Sequence, residues 1–430
     1  MPEWKKLPVR ELLSGFWPGE WGSDALPSEP PAVVYRSTEL DDDGHVDQSE
    51  VLRHIPAEKL ESKRLLPGDI LLEASGGTPG RPVGRVGLYM PEKSELAICS
   101  NFLRTLRPNS SVLSAYLRWV LLHLHRSPVI WRFQQQTTGM SNLNVQGYIR
   151  QEVDVAPPHE QRRIVEVLST IDKAIERNEA LIAKTQQIKS GLMHDLFTRG
   201  VTPDGRLRPP REEAPELYKE SALGWIPVEW NVERLDDIAQ RGSGHTPSKR
   251  FPEYWNGGIK WISLADSWRL DRVHISDTDN EISQRGIENS SAALHPAGIV
   301  VLSRDAGIGK SAITTCEMAV SQHFMCWRCG PRLNNYFLYY WLQFRKWEFE
   351  NIATGSTIPT IGLRFFKNYK ICTPTRLAEQ EKIGADLLTS DERIHSLEAS
   401  LAKLKQTRAG LMHDLLTGRV AIPGSASASI

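Results

Sequence analysis

The sequence predicts a duplicated α/β (α+β) chain: two mixed α/β globules, each running into a long helix, with the helices packed as an antiparallel coiled coil. Three observations carry this expectation. A hexapeptide occurs twice; two long apolar stripes have a helical period and contain no proline; and short β-branched or aromatic runs, cut by Gly, Pro and Ser clusters, precede each stripe.

The duplication comes first. Gly191-Leu-Met-His-Asp-Leu196 recurs as Gly410-Leu-Met-His-Asp-Leu415, an offset of 219 residues. At the same offset Glu160-Gln161 matches Glu379-Gln380, and Asp172 matches Asp391. Nearer the start of each copy the offset drifts, as loops of unequal length require: Glu3-Trp4 matches Glu229-Trp230 at 226, and Pro67 matches Pro296 at 229. A period this long denotes duplicated domains rather than a solenoid.

Each copy ends in a stripe of 3–4 spacing. In the first it runs Ile164, Leu168, Ile171, Ile175, Asn178, Ile182, Thr185, Leu192, Leu196. In the second it runs Ile383, Leu387, Ser390, Ile394, Leu397, Leu401, Leu404, Leu411, Leu415. Sustained heptads of this kind predict a coiled-coil seam, with Asn178, Thr185 and Ser390 as register-setting polar positions. At 1.5 Å per residue each helix would span roughly 50–60 Å. The expected organisation is a first globule at 1–158, its helix at 159–200, a Pro-rich charged linker at 201–225, a second globule at 226–375, its helix at 376–417 and a loose tail at 418–430. Each globule carries one aromatic-rich helical stretch, Ser114–His125 and Asn335–Glu348.

Composition excludes more than it identifies. The 430 residues are 40% hydrophobic and 24% charged, which rules out a disordered chain. No run reaches the ~18–20 apolar residues of a membrane span, and five Cys are too few for a disulfide framework, so a cytoplasmic location is expected. Lys+Arg and Asp+Glu both total 52; a nucleic-acid binder usually has a basic surplus, so any such contact must come from local patches. Thirteen Trp residues, several beside Gly, Pro and charged residues, suit interaction surfaces.

Several stretches imitate chemistry. Arg304-Asp-Ala-Gly-Ile-Gly-Lys-Ser311 ends like a phosphate-binding loop but has Arg where the first Gly must make the turn, so a strand-to-strand turn is the better reading. His323, Cys326 and Cys329, with Cys316 upstream, could be drawn as a zinc site. Phe324-Met-Cys-Trp reads as a strand, however, in which Cys326 and Cys329 would face opposite ways. No paired-carboxylate nuclease pattern, Gly-x-Ser-x-Gly elbow, His-Glu-x-x-His or amino-methylating tetrapeptide occurs. No catalytic residue, metal site or cofactor of its own is therefore expected.

The repeated segments resemble the specificity subunit of type I restriction–modification systems. The resemblance lies in Glu160-Gln161 and Glu379-Gln380 entering heptad helices that exit through the repeated hexapeptide. It extends to Thr138-Gly139 and Thr354-Gly355-Ser356 ahead of them, to Leu223-Gly-Trp-Ile-Pro227 running into Trp230, and to Tyr254-Trp-Asn-Gly-Gly258 with Lys260-Trp261. The first globule lacks the Gly-Ser-Gly-His-Thr-Pro and Tyr-Trp-Asn-Gly stretches.

The resemblance implies a non-catalytic subunit whose two globules each read one half of a split target in double-stranded DNA. Two methyltransferase subunits would dock on the helices, and restriction/translocase subunits would join them; S-adenosylmethionine, ATP and magnesium would belong to those partners. Candidate DNA-contacting residues are Arg241, Ser243, His245, Thr246, Lys249 and Arg250 in a Gly-containing turn, and Arg304 and Lys310 flanking another. Arg81, Arg85, Thr137, Thr138, Ser141, Ser356 and Thr357 complete the set. Candidate docking residues are Glu160, Gln161, Asp172, His194, Glu379, Gln380, Asp391 and His413. A protein-binding scaffold and the recognition half of a fused restriction–methylation enzyme are the alternatives.

Overall fold

The computed structural model describes residues 4–24, 31–77, 80–93, 95–137, 140–353 and 360–420, without the side chains of 136 and 137. The chain divides into two compact units, one of residues 1–177 with 401–430, the other of residues 178–400. The sequence repeat and the compact units thus have different boundaries, because each unit takes one end of both long helices, Pro158–Thr198 and Leu377–Leu416.

In the first unit, Leu13–Pro18, Leu103–Pro108, Ile70–Glu73 and Val86–Leu88 form an antiparallel sheet in that spatial order. Its Ile70, Leu72 and Leu106 bury against Tyr116, Trp119 and Leu122 of the helix Ser114–Arg126. The same core takes Ile164 and Leu168 from the first long helix and Met412, Leu415 and Leu416 from the second. A two-stranded ladder, Lys5–Pro8 against Glu152–Val155, leads into the long helix.

The second unit repeats this scheme with different loops. A five-stranded sheet runs Ala239–Ser243, Phe324–Cys329, Val300–Ser303, Ser311–Thr314, His274–Ile275. The helix Asn335–Phe344 covers it; Asn334 caps that helix by accepting from the Phe337 amide at 3.1 Å. Ile383 and Leu387 of one long helix and Leu196 and Phe197 of the other complete the core. The ladder Trp230–Arg234 against Lys370–Pro374 is the counterpart of the first unit's entry ladder.

Within each unit the long helices run antiparallel. In the first, Arg408 bonds Asp172 at 2.8 Å, while Met412 to Leu416 share a core with Ile164 and Leu168. In the second, Lys189 pairs with Asp391, while Leu196 and Phe197 share a core with Ile383 and Leu387. Ile175 is buried, and Leu401 is half-buried. The polar seam positions behave differently from register-setting residues: the Thr185 and Ser390 hydroxyls donate to carbonyls of their own helices, Leu181 and Asp386.

Two expectations need correction. The segment 201–225 is not simply an exposed linker: Val201, Arg208, Ala214 and Tyr218 are buried, and Tyr218–Ser221 pairs with Gly224–Pro227. Its charge misled, because Arg208 carries that charge inward to Glu379. The stretch Asn335–Glu348 is two helices, Asn335–Phe344 and Lys346–Ile352, broken at Arg345, where no Gly or Pro signals the break. The described part of the tail ends at residue 420.

Candidate nucleic-acid interface

Three turns of the second unit meet along one edge. The strand Ala239–Ser243 pairs with Phe324–Cys329, and the Ser243 hydroxyl donates to the Phe324 carbonyl at 3.0 Å. The chain then presses onto the end of the strand Met318–Val320: a Cβ at Gly244 would lie 1.6 Å from the Val320 carbonyl oxygen, so only glycine fits. Next, the His245 carbonyl accepts from the Trp261 indole at 3.1 Å, which fixes the loop and leaves the His245 side chain exposed.

Thr246 ties this loop to the second turn by donating to Gln322 Oε1 at 2.6 Å. Gln322 Nε2 lies 3.4 Å from His323 Nε2, and His323 Nδ1 lies 2.6 Å from Asp305 Oδ2. Asp305 belongs to the third turn, where the Arg304 amide donates to the His323 carbonyl at 3.0 Å. Ser243, His245, Thr246 and Arg304 therefore lie along one edge together with Asp305, Gln322 and His323.

The remaining candidates of this unit are dispersed. Arg241 is held by Asp236 at 3.2 Å and donates to the Leu363 carbonyl, away from the three-turn chain of bonds. Lys249 and Arg250 are exposed farther along the loop, and Lys310 donates to the Ser267 carbonyl at 3.1 Å. Beside Ser267, the exposed Trp268 carries the Arg269 guanidinium 4.2 Å from its ring centroid.

The turn 304–310 does not form a phosphate cradle. Its Gly309 and Lys310 amides donate inward, to Ser303 and Gly307 carbonyls, and Ser311 is buried in a strand. Cys326 lies 3.6 Å from His295 Nε2, and burial pushes the Cys326 and Cys329 thiols up to about 12. Among the described residues no group of three His, Cys, Asp or Glu side chains is placed to hold a metal ion. None of their helices is long and apolar enough to cross a membrane.

In the first unit Gly77, Arg81 and Ser141 come together where Ser75–Gly77 pairs with Met140–Leu143, and Arg81 pairs with Asp42. Arg85 is corrected: it is engaged internally by Glu73 at 2.8 Å and by the carbonyls of Leu40 and Ser37, leaving no open guanidinium edge for DNA. Thr137 ends the strand Gln134–Thr137, its side chain outside the described set; Thr138, Ser356 and Thr357 also lie outside the described residues.

The repeated helix residues need a similar correction. Gln161 accepts from the Leu113 amide and donates to the Ala156 carbonyl; Gln380 accepts from Asn334 and donates to Pro374 and Arg332. Trp4 donates to Glu160 and Trp230 to Glu379, each at 3.1 Å. Asp172 faces Arg408 and Arg118, and Asp391 faces Lys189 and Tyr340. Gln161, Asp172, Glu379, Gln380 and Asp391 are thus buried within their own units and offer no side chain for docking. His194 is exposed beside Phe344, and His413 is half-buried beside His123.

Residues 227–406 match the family described as type I restriction modification DNA specificity domain. Over this segment the chain is similar to type I restriction specificity subunits. It is 29% identical over 181 residues to the type I restriction enzyme MjaIX specificity subunit of Methanocaldococcus jannaschii, a match spanning 42% of each chain. To the MjaVIII specificity subunit of the same organism it is 22% identical over 376 residues, covering 85% of this chain and 82% of that one. The fold is similar to the crystal structure of a type I restriction–modification S subunit from M. genitalium, with a TM-score of 0.58, 14% identity and 96% of both chains covered. A chain from a structural study of complex assembly in a type I system gives a TM-score of 0.57 at 17% identity, over 98% of this chain and 99% of that one. The likeness in fold thus extends over both units, whereas the family match falls on residues 227–406.

Proposed function

We propose that this chain is the non-catalytic DNA-recognition subunit of a type I restriction–modification complex. Each globular domain reads one half of a bipartite target, and the paired helices carry two methyltransferase subunits, which restriction subunits join. The supporting observation is the three-turn edge of the second unit. Rigid backbone seats there present Thr246, Gln322, His323 and Arg304 together, within the segment that matches a DNA specificity domain. Polar side chains held by internal hydrogen bonds suit groove recognition, since their orientation is set before DNA arrives.

S-adenosylmethionine, ATP and magnesium belong to the partners in this reading. The test is co-purification with methyltransferase subunits followed by mapping of methylated adenines. A split, two-part methylated sequence is expected, with DNA affinity falling steeply as salt rises. Methylation, ATPase or nuclease turnover by the rigorously purified single chain would contradict the non-catalytic assignment.

A further inference from the structure

We propose that Gln322 reads an adenine in the half-site faced by the second unit; the proposal rests on the DNA-recognition role above and names a residue for it. Gln322 is exposed on the turn between Met318–Val320 and Phe324–Cys329. A chain of bonds sets its amide. The Asp305 carboxylate accepts from His323 Nδ1 at 2.6 Å, and in the neutral imidazole that bond leaves His323 Nε2 as an acceptor. That acceptor faces Gln322 Nε2 at 3.4 Å, and Thr246 Oγ1 donates to Gln322 Oε1 at 2.6 Å. Both neighbours therefore agree on which end of the amide is oxygen and which is nitrogen.

An amide has two acceptor lone pairs and two donor hydrogens. One of each is engaged here, leaving the amide one acceptor and one donor for a base. Adenine shows the complement in the major groove, an N6 donor beside an N7 acceptor, and no other base edge offers that pair. The turn cannot easily yield, because Gly244 abuts Val320 and the Ser321 amide donates to the Ile262 carbonyl at 2.8 Å.

The experiment selects duplexes from a pool randomised across the target, using the full chain assembled with its methyltransferase subunits, and sequences those retained. Wild type should prefer adenine at one position of one half-site. Gln322→Ala should reduce that preference by about 10- to 100-fold at that position alone. Gln322→Glu, with acceptors only, should move the preference toward cytosine. Thr246→Val, which frees the amide to turn, should weaken the adenine preference without introducing another. A Gln322→Ala profile identical to wild type overturns the assignment, as does a uniform loss of retention with the profile unchanged, the mark of a phosphate contact. If wild type itself selects no sequence, the DNA-recognition role fails, and this proposal fails with it.

Discussion

Glu379 and Glu160 occupy matched positions yet are held unequally. Glu379 takes Trp230, the Val201 amide and the guanidinium of Arg208, with both charged side chains almost fully buried. Glu160 has Trp4 and a distant His159, and is only half-buried. Glu379→Gln should therefore leave Arg208 only the exposed Glu229 as counter-charge and cost about 1.5–3 kcal/mol. Glu160→Gln should cost about 1 kcal/mol. Urea unfolding followed by Trp fluorescence compares them, and equal midpoint shifts would refute the asymmetry. His45 makes a second residue-scale case. Its hydrogen bonds to Asp172 and Asp41 raise it to about 10, above the usual imidazole range. The stabilisation is fully present below an ordinary imidazole pKa near 6.5 and is lost as pH rises through about 10. His45→Gln should flatten the fall in stability of the first unit between pH 7 and 10, while leaving the second unit's profile unchanged.

At the scale of elements, the long helices combine a legible stripe with illegible partners. Ile164, Leu168, Ile383 and Leu387 are core residues, as their spacing indicates. Leu181 and Ile188 are exposed instead, at 42% and 57%, so the apolar content of the first helix exceeds what the seam uses. Matched four-residue insertions in both helices, after Arg177 and after Ser400, add about 6 Å of rise. The gap between the methylated half-sites should lengthen by one or two base pairs, with each half-site sequence unchanged. Methylation at the original spacing would count against helices that act as a rigid spacer.

For the whole molecule, duplication means that each recognition function should be portable. Replacing residues 226–375 with the corresponding domain of a relative should change one half of the methylated sequence and keep the other. Methylation mapping of the chimaera checks this; a change in both halves would show that the domains do not read independently. Charge supports local rather than global attraction to DNA. Lys+Arg and Asp+Glu balance at 52 each, and many Arg residues, Arg85, Arg208 and Arg408 among them, are neutralised within the fold.

The sequence by itself determined the duplication, the two long helices, the mixed α/β character of each globule, and the turns around Ser243–Thr246 and Arg304. Periodicity, breaker residues and a repeated hexapeptide are local properties, and a local pattern survives in any tertiary setting. Only the tertiary structure decided that Gln161, Gln380, Asp172 and Asp391 face inward, that Arg208 is buried, and that Gln322 and Asp305 join Thr246 on one edge. Partners such as Thr246 and Gln322 lie far apart along the chain, and no spacing rule links them. Burial and hydrogen bonding depend on which strands are neighbours, which is settled only when the sheets assemble.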